Sequence, residues 1–201
     1  MIEITIIRHA ETELNAAQAY QGTTDAPVGK RGMVELRKAR TYPDVKRVFS
    51  SPMLRARQTT DILFPNAKIV LIEDLREMDF GDFEGVKASE INTIPGYQNW
   101  IDGGLEASCP NGESMLEFGK RALYAFDSVV EQTADGEKVY VVAHGGVIKA
   151  LMIIFSRGKG DYFTYHIDNL HGYSITLDIN EWKDSRKIQS INEYSAINNK
   201  Q

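Results

Sequence analysis

Short runs of consecutive apolar residues alternate along the chain with longer segments in which apolar residues recur three and four positions apart. The short runs are rich in Ile and Val, and this length and composition predict buried strands. The longer segments have the spacing that places apolar side chains on one face of a helix. Strands are predicted at Ile2–Ile7, Val45–Phe49, Lys68–Ile72 and Lys138–Ala143. Helices are predicted at Glu11–Ala19, at Arg31–Arg40, from the helix cap Ser51 to about Leu63, at Glu113–Thr133 and at Val147–Phe155.

Strands that alternate with helices indicate an α/β fold, a three-layer α/β/α sandwich with a mostly parallel central sheet. In the tail, Ser174–Asn180 and Lys187–Asn192 predict a hairpin at the sheet edge. We expect one domain over residues 1–201, because single cores grow efficiently up to roughly 250 residues. Residues 74–112 are irregular and predict a lid or specificity insert on that domain. Short helices are predicted in it around Lys87–Asn92 and Tyr97–Asp102.

Composition narrows the functional classes. The chain has 28 acidic and 23 basic residues and no run of five like charges, which argues against general nucleic-acid binding. The single cysteine, Cys109, rules out an intramolecular disulfide framework. The N-terminus lacks the features of a signal peptide, and the apolar stretches fall short of the roughly 20 residues of a membrane helix. We therefore expect a soluble cytoplasmic protein, monomer or homodimer, without nucleic-acid or membrane partners.

Two predicted strands end in histidine, at Arg8-His9 and at His144-Gly145-Gly146. If these strands are parallel neighbours, both imidazoles reach the same edge of the sheet, where ligands of such folds bind. Arg8 offers a bidentate fork to phosphate oxygens. The glycine pair opens a helix, whose free N–H groups and dipole favour an anion. The pattern predicts a phosphate pocket built around two histidines.

Two further segments supply candidates for that pocket. Ser51 to Thr60 also follows a strand and opens a helix, so Arg55, one turn in, can reach a phosphate there. A phosphoryl transfer to histidine needs an acid to protonate the leaving oxygen and then a base to activate water. The acidic segment Leu75–Gly85 supplies four candidates, and the residues alone do not choose between them. They are Glu77, Asp79, Asp82 and Glu84.

The motifs that other kinds of phosphatase and nucleotide-binding site require are absent from the sequence. A cysteine phosphatase needs Cys-x5-Arg, but Met115 stands six residues after Cys109. The chain has no Gly-x4-Gly-Lys-Ser/Thr loop and no His-Glu-x-x-His pair. His166 and His171 are five apart, the wrong spacing for one helix face. The residues favour metal-independent chemistry with no cofactor.

The chain resembles the histidine phosphatase superfamily, also called phosphoglycerate mutase-like. The family's Arg-His-Gly-Glu-Thr motif is matched by Arg8-His9-Ala10-Glu11-Thr12. The similarity continues in the family's order through Tyr20–Gly22, Ser51–Thr59, Leu75–Gly85, Pro110–Ser114 and Ala143–Gly146. The resemblance implies that His9 is the phosphorylated nucleophile and Glu77 the general acid and later the base. It further implies phosphoryl binding by Arg8, Arg55 and His144 with the help of Asn15, and substrate contacts at Gln21, Gly22 and Gly145.

Two departures from the family pattern are Ala10, whose methyl group replaces a usual glycine and could crowd the pocket, and Gly29, where relatives often have Thr.

Within the superfamily the chain is most similar to small bacterial phosphatases, among them the alpha-ribazole phosphatases of the late cobalamin pathway. A cofactor-dependent phosphoglycerate mutase and a non-catalytic phospho-ligand binder are the alternatives. The expected substrate is a small phosphorylated metabolite. Phe83, Tyr97 and Trp100 either stack on it or form a small core of the insert.

Overall fold

A computed structural model describes residues 1–156 and 165–197. Its sheet has six strands in the order β3-β2-β4-β1-β5-β6. The first four positions in this order hold parallel strands. At the other edge, β5 pairs antiparallel with β1, and β6 pairs antiparallel with β5. The α/β fold with a mostly parallel sheet is therefore confirmed. The strands are β1 Ile2–Arg8, β2 Arg47–Ser50, β3 Lys68–Leu71, β4 Lys138–Ala143, β5 His171–Leu177 and β6 Ser190–Ser195.

Helices cover both faces of this sheet and bury two apolar clusters against it. Successive residues of β1 point to opposite faces, so Ile6 joins one cluster and Ile7 the other. The helices are α1 Glu13–Ala16, α2 Lys30–Lys38, α3 Leu54–Leu63, α4 Tyr97–Asp102, α5 Met115–Glu131, α6 Gly145–Phe155 and α7 Ile179–Ser185. Helices α5 and α6 contribute Phe118 and Ile148 to the first cluster, while α2 and α3 contribute Leu36 and Leu63 to the second.

Three predicted helices differ most in extent from the observed ones. Helix α1 has only four residues, because Thr12 caps it in a capping box with Asn15 and the chain turns away at Gln18, whose φ is +54°. Ser51 does not cap α3: Met53 is the residue that precedes the helix, and the Ser51 hydroxyl bonds His144 instead. Of the helix predicted at Lys87–Asn92, only a 3₁₀ turn at Ile91–Thr93 forms.

The tail contains a helix where the hydrophobic pattern predicted continuous strand. Asp178 ends β5 and caps α7, since its carboxylate accepts the N–H groups of Asn180 and Glu181. The second strand begins at Ser190, later than predicted. The pairing itself was predicted correctly, because β5 and β6 are antiparallel neighbours and β6 is the edge strand.

In the segment 74–112, the aromatic side chains pack on one another. The Phe83 ring lies 5.7 Å from both the Tyr97 and Trp100 rings, centroid to centroid, and Phe83 is fully buried. Of the two interpretations of these aromatic side chains, stacking on a substrate and a small core of the insert, the structure shows the small core. None of the helices in residues 1–156 and 165–197 is long and apolar enough to cross a membrane.

Candidate active site

A cavity of about 260 Å³ opens at the carboxyl ends of β1 and β4. The register pairs Arg8 with Ala143, so the residues that follow, His9 and His144, leave the sheet side by side. Their ring centroids are 5.1 Å apart. Six of the predicted site residues line the cavity, namely Arg8, His9, Asn15, Gln21, Glu77 and Gly145. Arg55, His144 and Gly22 are buried and are not among the residues that line the cavity.

The His9 ring is buried, and its hydrogen bond fixes the tautomer. Nδ1 lies 2.7 Å from the carbonyl oxygen of Ala10, which can only accept, so Nδ1 carries the proton. The lone pair of the neutral ring is therefore on Nε2. Burial, and after it the charges of Arg55 and Arg8, hold the His9 pKa well below its usual value. The ring thus stays neutral near pH 7, as a nucleophile requires.

The His144 ring is fully buried and has a partner at each nitrogen. Arg55 donates its Nε–H to Nδ1 at 3.3 Å, so the ring proton is on Nε2, which donates to the Ser51 hydroxyl at 2.8 Å. Burial and Arg55 hold the His144 pKa well below its usual value. Contact of His144 and Arg55 with a phosphoryl group remains a prediction, since neither side chain reaches the cavity surface here.

Arg55 is held by the loop that connects Gln21 with Thr24. Its two terminal nitrogens donate to the carbonyl oxygens of Thr24 and Gly22, each at 2.9 Å. Glu84 orders the same loop, because its carboxylate accepts N–H groups of Gly22, Thr23 and Thr24. The carbonyl of Gly22 thus holds Arg55, and a side chain at Gly22 would collide with the Met78 carbonyl oxygen at 1.7 Å. Contact of Gly22 with substrate remains a prediction.

Among the four candidate carboxylates, only Glu77 lines the cavity. Its two oxygens accept the N–H groups of Met78 and Gly146 at 3.0 and 2.8 Å. Burial raises the Glu77 pKa, against the opposing effect of these hydrogen bonds and of Arg55. A carboxyl group with a raised pKa suits proton donation. The other three make structural contacts: Glu84 to the loop, Asp79 to the Gly81 N–H and Asp82 to Asn111.

Gly146 allows Glu77 to approach the N-terminus of α6. A β-carbon on Gly146 would lie 2.1 Å from a Glu77 carboxylate oxygen, so no other residue fits without displacing the acid. From the opposite side, Arg121 of α5 donates to the backbone carbonyls of Arg76 and Glu77. Arg121 also pairs with Glu113 at 2.7 Å. The Glu77 backbone is therefore fixed from two sides.

Asn15 and Gln21 belong to one hydrogen-bonded group beside His9. The Thr12 hydroxyl donates to Gln21 Oε1 at 2.6 Å, and Asn15 Nδ2 donates to the same oxygen at 3.4 Å. Ala10 does not crowd this site: it is fully buried in the cluster that contains Ile7, and its N–H donates to Thr59.

Sequence reasoning missed several residues of the site. Lys149 and Gln18 line the cavity, and Asn169 donates to the carbonyl oxygen of His9 at 2.8 Å. Lys149 had a signal in the sequence, since it stands one helical turn after Gly145. Asn169 had none, because its contact crosses 160 positions of the chain.

Comparison with known proteins assigns the chain to a family. The sequence model of the protein family "Histidine phosphatase superfamily (branch 1)" matches residues 4–188. This chain belongs to the histidine phosphatase superfamily. Among the curated relatives of this histidine phosphatase is "Putative phosphoserine phosphatase 2" of Hydrogenobacter thermophilus, 30% identical over 84% of this chain and 86% of its own length. Another is "Probable phosphoglycerate mutase GpmB" of Yersinia pestis, 30% identical over 76% of this chain and 74% of its own length.

The histidine phosphatase also has close structural neighbours. The alpha-ribazole phosphatase of Shigella flexneri superposes with a TM-score of 0.73 over 88% of this chain and 91% of its own, at 23% identity. At that identity the likeness supports the fold alone. The family and the relative named as a phosphoserine phosphatase support a phosphatase, while the names of the curated relatives differ in the reaction and in the phosphate ester concerned.

Proposed function

We propose that this histidine phosphatase hydrolyses phosphate monoesters of small metabolites through a phosphohistidine at His9. One observation carries the proposal: a neutral histidine with its lone pair on Nε2 and a buried carboxyl group with a raised pKa line the same cavity. A nucleophile and a proton donor in these states are what the two half-reactions require.

In the first half-reaction, His9 Nε2 attacks phosphorus and forms a P–N bond while the ester P–O bond breaks. The leaving oxygen takes the proton of Glu77. In the second, the Glu77 carboxylate takes a proton from water as the water oxygen attacks phosphorus. The P–N bond then breaks, its electrons return to Nε2, and inorganic phosphate leaves. Glu77 ends protonated and His9 neutral, so the cycle closes without a metal or another cofactor.

Positive charge stabilises the transferred phosphoryl group in this proposal. Arg8 and the N-terminus of α6 at Gly145 face the cavity, and Asn15 and Gln21 supply polar contacts. Arg55 contributes its charge from beneath. The Nε2 proton of His144, which Ser51 accepts in this structure, would turn to a phosphoryl oxygen once the group is at His9.

For the natural substrate, alpha-ribazole phosphate is our specific suggestion from the sequence resemblance. Phosphoglycerate mutase activity is the second candidate, because a relative of 30% identity carries that name. We place the protein in the cytoplasm, in line with its one cysteine, Cys109, which is buried and unpaired.

The proposal is tested by hydrolysis of p-nitrophenyl phosphate in the presence of EDTA. We expect turnover in EDTA and a loss of at least about 10³-fold in His9→Ala, because the nucleophile is absent. His171→Ala, outside the cavity, is the matched control. Full activity of His9→Ala would contradict the assignment of His9 as the nucleophile, and loss of activity in EDTA would contradict metal independence.

Measurable phosphate exchange stimulated by bisphosphoglycerate, instead of hydrolysis, would favour the mutase. Binding of phosphate esters without turnover would favour a non-catalytic protein.

A further inference from the structure

The turn Pro110–Ser114 packs against the segment that carries Glu77, and no residue of this turn lines the active-site cavity. The Glu113 N–H donates to the Asp79 carbonyl oxygen at 2.9 Å, and the Glu113 carboxylate accepts the Asp79 N–H at the same distance. A β-carbon on Gly112 would lie 2.4 Å from that carbonyl oxygen, so the close approach of the two segments requires glycine. The turn therefore holds the backbone two positions after Glu77.

Arg121 of α5 connects the same carboxylate to the backbone around Glu77. Its Nε–H and one N–H of Nη2 donate to the two carboxylate oxygens of Glu113 at 2.8 and 2.7 Å. Nη1 donates to the carbonyl oxygens of Asp74 and Arg76, both at 2.9 Å, and Nη2 donates to that of Glu77 at 3.2 Å. These five hydrogen bonds use all five donors of the guanidinium group.

Glu77 depends on such contacts because it belongs to no helix or strand. It lies between two 3₁₀ turns, Glu73–Leu75 and Gly81–Phe83, so no regular hydrogen-bond ladder sets its backbone. The Arg121 and Glu113 side chains are only 15% and 23% exposed. A bidentate pair shielded from solvent to this extent keeps a defined geometry better than an exposed ion pair does.

The position of Arg121 is itself set by the packing of α5. Ser114 caps the helix in a capping box with Glu117. One turn before Arg121, Phe118 is fully buried in the core, and the guanidinium group lies 5.2 Å from the centre of its ring. A helix fixed at its cap and in the core thus presents Arg121 to the backbone of the segment that carries Glu77.

We propose that Glu113 and Arg121 are positioning residues for proton transfer by Glu77. This inference rests on the proposed function and adds a structural requirement to its acid–base step. Neither side chain lines the active-site cavity, and Arg121 bonds the Glu77 backbone, while the Glu77 carboxylate bonds Met78 and Gly146. Loss of the Glu113–Arg121 pair lets the carboxyl group shift relative to the leaving oxygen. A displacement of about 1 Å can cost on the order of 10²-fold in rate.

Two aryl esters distinguish a misplaced acid from a damaged fold. Phenyl phosphate and p-nitrophenyl phosphate differ by one nitro group, and only the phenol oxygen needs substantial proton donation as it leaves. The quantity measured is kcat/KM for phenyl phosphate divided by kcat/KM for p-nitrophenyl phosphate. This ratio does not depend on the fraction of folded enzyme. It also excludes the second half-reaction, because kcat/KM extends only to release of the alcohol.

The variants are Arg121→Met, Arg121→Lys and Glu113→Gln, each alone and combined with Glu77→Gln. Lys120→Met, at an exposed position of the same helix, controls for the loss of one positive charge. We expect Arg121→Met to lower the ratio by about tenfold or more. Arg121→Lys should lower it as well, because an ammonium group has three donors and cannot make all five contacts. Glu113→Gln should lower it by about threefold, and Lys120→Met should leave it unchanged.

In the Glu77→Gln background, the same substitutions should leave the ratio unchanged within about twofold, because no acid remains to be misplaced. A ratio that stays at the wild-type value in Arg121→Lys and Glu113→Gln would overturn the inference, even if both activities fell. These two variants decide the question if Arg121→Met does not fold. Equal decreases with and without Glu77 would also overturn it, since the pair would then act on another group. A wild-type ratio in Glu77→Gln alone would instead contradict the general acid of the proposed function.

Discussion

The cavity has an inner end, formed by the buried residues His9, Gln21, Glu77 and Gly146, and an outer end, formed by the half-buried or exposed residues Gln18, Tyr20, Ala88, Lys149 and His166. The two ends are held in different ways. At the inner end, His9 and Glu77 are buried, and each is hydrogen-bonded to backbone groups. The Ala10 carbonyl fixes the tautomer of His9. The N–H groups of Met78 and Gly146 fix the position of the Glu77 carboxyl group. At the outer end, the His166 side chain is 83% exposed, and Asp168, which lies 3.0 Å from its Nε2, is exposed as well. The side chains of the inner end are therefore held in one hydrogen-bonding arrangement, while substitutions at the outer end should change the free energy of unfolding little.

The largest effect is expected where the packing at the inner end leaves no space. A methyl group on Gly146 must displace Glu77, whereas on Gly145 it would lie 3.3 Å from the Arg8 side chain. Gly146→Ala should lower kcat for alkyl phosphates by about 10²-fold or more, the contribution of a positioned general acid. Gly145→Ala is the matched control and should lose much less. Equal losses in both variants would show that α6, and not the position of Glu77, had been disturbed.

The pH dependence of kcat/KM reports the protonation states at the inner end. The first half-reaction needs neutral His9, so activity rises with pH through the lowered His9 pKa. It also needs protonated Glu77, so activity falls as pH rises through the Glu77 pKa, which lies above its usual value. The optimum should therefore be acidic, with limbs of about tenfold per pH unit.

Glu77→Gln has no carboxyl group to titrate, so it should lose the alkaline limb of the profile that the wild type shows on the same substrate. An alkaline limb of unchanged midpoint in Glu77→Gln would assign the proton donor to another group. Asp79 is the alternative closest in sequence, and Asp79→Asn serves as the control.

A smaller effect is expected from Glu84, which acts on the inner end through the loop under Arg55. Glu84→Gln keeps the shape but loses the charge that gathers three backbone N–H groups. We expect the free energy of unfolding to fall by about 1.5–3 kcal/mol. KM should rise several-fold with a smaller change in kcat, because Arg55 loses its fixed position. The exposed Glu90→Gln is the control, and an unchanged KM for Glu84→Gln would separate the loop from phosphate binding.

Much of the inner end could be predicted from the sequence because its signals are local. Strand runs ending in Arg8-His9 and His144-Gly145 stand at neighbouring parallel strands, so the sheet register alone brings the histidines together. The choice among four carboxylates could not be made in this way. It depends on which side chain the Leu75–Gly85 segment turns inward, and contacts with Gly146 and Arg121 decide that.

The outer end and the tail were less predictable for a related reason. The side chains of the outer end come from the turn after α1, the segment before α4, the second turn of α6 and the segment before β5, and only the fold brings them together. In the tail, the apolar pattern of Ser174–Asn180 was the one expected of a strand. The Asp178 cap, a single side chain, ended that strand and began α7.

The central claim is that His9 Nε2 accepts the phosphoryl group, and the direct test is to locate that group on the chain. Glu77→Gln is mixed rapidly with p-nitrophenyl phosphate, whose leaving group needs little proton donation, and is denatured in alkali, where phosphohistidine is stable. Peptide mass spectrometry then assigns the modified residue. We predict a phosphoryl group on the peptide containing His9, which accumulates because the second half-reaction lacks its base. A phosphoryl group on His144, or none on His9 while p-nitrophenol is released in a burst, would contradict the account.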